Sequence, residues 1–169
     1  NKADRNGGGL VNESGTATIT NATFTANLAD AFGPEDQGNG FGEGGGIFRN
    51  GGTVTLQNSL VAANFDTKNN GAGGSLGNIH PDVSGMVVSE GGNLIGDGTG
   101  AMGFGTGDTP DIVGTGVSRI DPLIGPLADN GGPTLTHLLS AQSPAIDAGD
   151  NAPYQPQLDA MESDRKSTR

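Results

Sequence analysis

Gly44-Gly45-Gly46-Ile47-Phe48-Arg49-Asn50-Gly51-Gly52-Thr53-Val54-Thr55-Leu56-Gln57-Asn58-Ser59-Leu60-Val61-Ala62-Ala63-Asn64-Phe65 decides the fold, because it is a copy of an earlier stretch. Moved back by 37 residues (44 minus 7), it falls without a gap on Gly7-Gly8-Gly9-Leu10 through Thr16-Ala17-Thr18-Ile19-Thr20-Asn21-Ala22-Thr23-Phe24-Thr25-Ala26-Asn27. The shared register holds three glycines, an aliphatic residue, a Gly-Thr-x-Thr-aliphatic segment and two asparagine pairs, 21 over 58 and 27 over 64. Self-similarity at a fixed period marks each copy as one rung of a stacked array.

The rung is made of strands. Thr16-Ala17-Thr18-Ile19-Thr20 and Thr53-Val54-Thr55-Leu56-Gln57 alternate polar and apolar at period two, and neither copy carries a helical apolar series. Three strand-capable pieces fall in each copy, around 9–11, 16–20 and 22–26, then 46–48, 53–57 and 59–63. Gly and Asn, which tolerate positive φ, separate them. Three short strands in a turn of about 22 residues predict an all-β parallel β-helix. Ala17, Ile19, Val54 and Leu56 then point inward, and Thr16, Thr18, Thr53 and Thr55 outward. Equivalent residues on adjacent rungs lie about 4.8 Å apart. Asn21 over Asn58, and Asn27 over Asn64, are therefore expected to form amide ladders that satisfy buried polar groups at the bends.

Composition agrees with a thin core. The 169 residues include 32 Gly, six Phe, one Tyr and no Trp, which suits a solenoid whose rungs touch only their neighbours. With no Cys there is neither a disulfide framework nor thiol chemistry. The formal charge is −11, and residues 6–164 carry only Arg49, Lys68 and Arg119 as basic groups against eighteen acidic ones. A nucleic-acid partner needs a basic footprint, so that class is excluded. No apolar run approaches the length of a membrane span, and no signal peptide is present. The chain opens almost at once on a rung, so it is expected to be a piece of a longer, processed or truncated protein.

The remainder divides into rungs over 1–120 with loop excursions at 30–43 and 67–77, a Pro/Gly-rich C-terminal rung or capping segment over 121–150, and a polar tail over 151–169. A degenerate third rung runs through Val83, Met86-Val87-Val88 and Asn93-Leu94-Ile95. His80, before Pro81, reads as a surface turn residue. Between residues 97 and 116, Asp97, Asp108 and Asp111 sit among glycines and are weak Ca²⁺ candidates, since hard cations take oxygen ligands. They match neither the EF-hand spacing nor the Ca²⁺-binding nonapeptide, so no metal and no cofactor is assigned. Pro122, Pro126, Pro133 and Pro144 are expected to keep most of the capping segment out of regular ladders. Leu123, Leu127, Leu135, Leu138, Leu139 and Ile146 nonetheless ask for burial.

Three blocks carry a resemblance. Gly-Gly-Asn-Leu-Ile-Gly-Asp (91–97), Asp-Pro-Leu-Ile-Gly-Pro-Leu-Ala-Asp-Asn-Gly-Gly-Pro-Thr-Leu-Thr-His (121–137) and Ser-Pro-Ala-Ile-Asp-Ala-Gly-Asp (143–150) resemble the C-terminal signature of secreted bacterial choice-of-anchor domain proteins. The Gly-Gly-Gly-Ile, Thr-Val-Thr-Leu and Asn-Ser pieces look like pectate-lyase-like and polymorphic-outer-membrane-protein-like repeats. The resemblance implies a right-handed parallel β-helix on an exported, surface-associated bacterial protein without demonstrated chemistry. In that group a further stretch ending near an Asp-x-Gly-Ala-x-Glu-like motif commonly follows, and this sequence reaches Arg169 without it.

The function expected from these readings is structural or adhesive, and not enzymatic. Lyases and hydrolases need a carboxylate pair, or a cation with a basic side chain, on one strand face. Here the outward positions of the two clear rungs are threonines, and the nearest constellation, Arg119 with Asp121, reads as a surface ion pair. A carbohydrate-active or glycan-binding β-helix is the alternative. Binding of ice or glycan would use the Thr rows. Gly7, Leu10, Ile19 and Phe24 are expected to form an assembly face for self-association or for a neighbouring domain, because an uncovered rung exposes both backbone groups and core.

Overall fold

The computed structural model describes residues 1–29, 42–66, 80–105 and 110–150. The excursions expected at 30–43 and 67–77 fall largely outside the described residues, and the tail at 151–169 wholly so. The described elements are all strands, and most are parallel.

The first copy gives β1 (Leu10–Asn12), β2 (Thr16–Thr20) and β3 (Thr23–Phe24). The second gives β4 (Ile47–Arg49), β5 (Thr53–Gln57) and β6 (Leu60–Val61). They pair strand for strand at the offset read from the sequence: Leu10 opposes Ile47, Thr16 opposes Thr53 and Thr23 opposes Leu60, all parallel. A third tier follows as β7 (Val83–Met86), β8 (Val88–Ser89) and β9 (Leu94–Ile95). Beyond it, β10 (Ala101–Met102) pairs with β7, and β11 (Ile112–Val113) pairs with β9. Three parallel sheets result, ordered β1-β4-β7-β10, β2-β5-β8 and β11-β9-β6-β3. The fourth tier was not expected from the sequence, where its glycines suggested a loop. Ala101-Met102 and Ile112-Val113 are short apolar pairs, too brief to show a period of their own.

Alternation decides what each strand buries. Ile47, Val54, Leu56, Val61, Val83, Val87 and Ile95 form one core, each no more than 2% exposed. Leu10, Ala17, Ile19 and Phe24 point at the same core but are only partly buried, because described chain covers them on one side alone. Thr16, Thr18, Thr20 and Thr53 are exposed on the outer face.

Glycine at the start of each copy is a packing requirement. A Cβ on Gly45 would lie 2.2 Å from the Phe65 carbonyl oxygen and 2.6 Å from that of Pro81, so only glycine lets successive tiers approach there. At the corner after β2 and β5 the chain turns left-handed without glycine, with φ of 54° at Asn21 and 48° at Asn58. Asparagine tolerates that region better than most residues.

The segment after β11 lies along a flank. Leu60, Ala62 and Leu94 face outward from the β3-β6-β9-β11 sheet and are buried under Ile120, Ile124 and Ala145, with Ile112 beside them. Burying each leucine contributes about 2 kcal/mol. The prolines were expected to prevent a regular ladder, yet β12 (Ile124–Ala128) and β13 (Thr136–Leu139) pair as an antiparallel hairpin. Pro126 falls where the register shifts between Ile124 and Leu127, so its missing N–H interrupts no regular pairing. The expected burial of the leucines is also overturned: Leu127, Leu135 and Leu138 are each more than half exposed, and Leu123, Leu139 and Ile146 more than a third. Among the described residues, Ile124 is the hairpin residue that joins the cluster under the β3-β6-β9-β11 sheet.

Candidate functional site

The most organised polar groups of the molecule are at its corners. After β3 and β6, Asn27 and Asn64 turn inward and are 5% and 3% exposed. The Asn27 main-chain N–H and its Nδ2 both donate to Asn64 Oδ1, at 3.1 and 2.9 Å. Asn64 repeats the move one tier on, donating from N and Nδ2 to Asp82 Oδ1 at 3.0 and 2.9 Å. Asp82 Oδ2 accepts the Asp97 N–H at 2.7 Å. On the other side, Asn27 Oδ1 accepts from the Asn1 nitrogen at 3.1 Å. The result is a polar spine through the stack, satisfying groups that burial would otherwise penalise.

A second spine runs at the next corner. Ser59 Oγ accepts the Ala22 N–H, and Asn93 Oδ1 accepts the Ser59 N–H at 3.0 Å. Asn93 then donates from N and Nδ2 to Asp111 Oδ1 at 3.1 and 2.9 Å, while Ser89 Oγ donates to both Asp111 oxygens. Both spines thus use one device, an aspartate that lies 18 residues after an asparagine and accepts from both the main-chain N–H and the Nδ2 of that asparagine. Sequence reasoning missed Asp82, Asn93 and the structural part of Asp111, although the Asn64-to-Asp82 and Asn93-to-Asp111 spacings agree.

Asn21 and Asn58 are a different case. Asn21 is exposed and Asn58 only half-buried, which overturns the inward stacking expected of this pair. Their left-handed corner carries the side chain outward. Asn58 Nδ2 donates to the Asp150 carbonyl at 2.8 Å and Oδ1 accepts the Asp150 N–H at 2.6 Å, fastening residues 143–150 to the stack. Asn58→Asp is therefore expected to cost about 1 kcal/mol, the worth of one partly exposed hydrogen bond and not of a buried unpaired charge. Urea unfolding of the variant checks this, and a loss above 3 kcal/mol would show that Asn58 lies deeper than described.

The two described Ca²⁺ candidates, Asp97 and Asp111, are committed to different partners. Asp97 Oδ1 accepts the Thr99 N–H and Oδ2 meets Arg119 Nε at 2.8 Å, while Asp111 is taken up by the second spine. Asp108 lies outside the described residues, and among those described no group of His, Asp and Glu is placed to hold a metal. Arg119 was paired with Asp121 from the sequence. The structure gives it to Asp97, and Asp121 instead accepts the Leu123 N–H. His80 is half-buried, not a freely exposed turn residue. Its N–H donates to Asp66 Oδ2, and its Nδ1 lies 3.4 Å from Glu43 Oε2, which accepts from Ser84 Oγ at 2.6 Å. Among the described residues no helix is long and apolar enough to cross a membrane.

Asp82 makes the first spine sensitive to pH. Burial pushes its carboxyl up from 3.8 to about 6, aided by the neighbouring Asp97 charge and opposed by the donors from Asn64 and Asp97. A folded state that holds the proton more tightly than the unfolded one is favoured in acid. This contribution is present below about pH 4 and is lost as pH rises to about 6, a change of about 3 kcal/mol over the window. Wild type should lose more stability than Asp82→Asn between pH 4 and pH 7. Equal losses in urea titrations of the two proteins would mean that Asp82 ionises normally.

The expected assembly residues lie together at the first tier. Gly7 is left-handed at φ 67°, and Leu10, Ile19 and Phe24 are the half-covered core residues of β1, β2 and β3. Each of those strands is the terminal one of its sheet. At the neighbouring corner, Lys2 pairs parallel with Leu28, the Ala3 N–H donates to the Leu28 carbonyl, and the Leu28 N–H donates to that of Asn1. No protein-family model matches the chain, and neither the curated proteins nor the solved structures contain a match.

Proposed function

We propose that the chain is a right-handed parallel β-helix serving as a non-enzymatic structural or adhesive module on an extracellular bacterial surface, stacking end to end through its first tier. The observation that carries this reading is the contrast between equivalent positions. Ile47, Val54, Leu56 and Val61 are fully buried, whereas Leu10, Ala17, Ile19 and Phe24 directly above them are not. A further rung laid on β1, β2 and β3 would cover four apolar side chains and pair the edge that the described residues leave open on three faces, the arrangement that drives strand addition. At the Leu28 corner the chain's own Lys2 already takes that place in parallel pairing, so the added rung would lie on the three strands.

Sedimentation velocity over a wide concentration range tests it. The 16.8 kDa chain should grow in steps of its own mass as concentration rises. A single 16.8 kDa species throughout would end the assembly reading. One observation favours the glycan-binding alternative: Thr16, Thr18, Thr20, Thr53, Thr55, Gln57 and Val88 make an outer row of uncharged side chains on a strongly acidic protein, with exposed Glu90 just beyond Val88 along the chain. Retention on immobilised polysaccharide, lost in Thr18→Glu, would select that reading.

A further inference from the structure

The chain contains two Asn-x-Ser/Thr triplets among its described residues, Asn12-Glu13-Ser14 and Asn21-Ala22-Thr23. Such a triplet is the acceptor pattern for N-linked glycosylation, in which the enzyme reads the amide and the hydroxyl two residues on. The fold buries one and exposes the other. Asn12 is 7% exposed, and its Nδ2 donates to the carbonyls of Gly51 and Thr53 at 3.1 and 3.0 Å, so both amide hydrogens are committed. Asn21, the left-handed residue between β2 and β3, and Thr23 at the start of β3 are both exposed.

The repeat sharpens the contrast. In the second copy the corner reads Asn58-Ser59-Leu60, where the register puts Leu60 opposite Thr23. Leu60 is covered by the flank segment, and Asn58 is fastened to Asp150, so that copy has neither the hydroxyl nor the access. Only the first tier keeps asparagine, a residue other than proline, and an outward threonine together.

We propose that Asn21 is an N-linked glycosylation site, resting on the extracellular reading above. The donor is an oligosaccharide carried on a lipid pyrophosphate. Asn21 Nδ2 forms a bond to the anomeric carbon, the bond from that carbon to the pyrophosphate oxygen breaks, and the lipid pyrophosphate leaves with the electron pair. The amide gives up one proton to a base of the transferase. The sugar then stands at the outer corner of the first tier, beside the threonine face.

The test is secretion of the full 169-residue chain from a eukaryotic host, with an appended tag that carries its own acceptor triplet and reports passage through the secretory route. Intact mass before and after peptide-N-glycosidase should reveal one glycan on the chain besides that on the tag. It should vanish in Asn21→Gln and in Thr23→Val, and persist in Ser14→Ala. A glycan that survives Asn21→Gln overturns the assignment. So does a chain without sugar on a tag that carries it, an outcome that leaves the extracellular reading standing.

Discussion

Asn64→Asp should destabilise the protein by about 4 kcal/mol at pH 7, the range expected when a buried charge loses its partner, and by much less at pH 4. Asn64 Nδ2 donates to Asp82 Oδ1 at 2.9 Å in a site where both residues are almost completely buried. An aspartate there removes the donor and sets two carboxylates against each other, with Asp97 also close. Asn27 would still find an acceptor, so the loss belongs to the contact with Asp82 and to the Nδ2 bonds to the Phe24 and Ala62 carbonyls. Two carboxyls at such a distance share one proton, and acid restores a donor between them. Urea midpoints at the two pH values measure the effect. A loss under 1 kcal/mol at pH 7, or the same loss at both, would mean that the spine does not support the stack.

Gly45→Ala should cost about 3 kcal/mol, the upper end of what overpacking produces. The added Cβ would meet carbonyl atoms of Phe65 and Pro81, and backbone in two other tier segments cannot move aside as a side chain can. Gly15→Ala is the matched comparison. Gly15 is left-handed at φ 75°, but nothing lies within 4 Å of the position of its Cβ. That change should cost only the left-handed strain, about 1 kcal/mol. Thermal unfolding of the pair separates close approach from backbone strain, and equal losses would remove the packing argument.

The stack was legible because its first two tiers are a gapless copy. Each strand pair from Leu10 with Ile47 to Phe24 with Val61 keeps the same offset, so period-two patterning in either copy predicted both faces. Legibility failed where the offset changed. Val88 pairs with Thr55 and Leu94 with Leu60 across shorter intervals, and the fourth tier follows after fewer residues still. No single shift of the sequence reveals those pairs. The spines show the same limit: Asn27 with Asn64 lies in the copied register, but Asp82 and Asp111 enter by an 18-residue step that crosses tiers. Asn21 and Asn58 were misplaced for another reason. A repeated asparagine signals either a buried amide ladder or a left-handed turn, and spacing alone does not distinguish them. Their positive φ does. The aspartates among the glycines suggested a cation because the sequence could not show that Arg119, Ser89 and Asn93 take up their oxygens.

The account turns on whether the first tier receives another rung, and amide hydrogen exchange over residues 16–20 asks that question directly. The matching residues 53–57 lie between two neighbours and set the standard for a covered strand. At high protein concentration, the β2 amides that face away from β5 should become as slow as those of β5, and they should return to fast exchange on dilution. Fast exchange of those amides at every concentration, with β5 protected throughout, would contradict stacking through this tier.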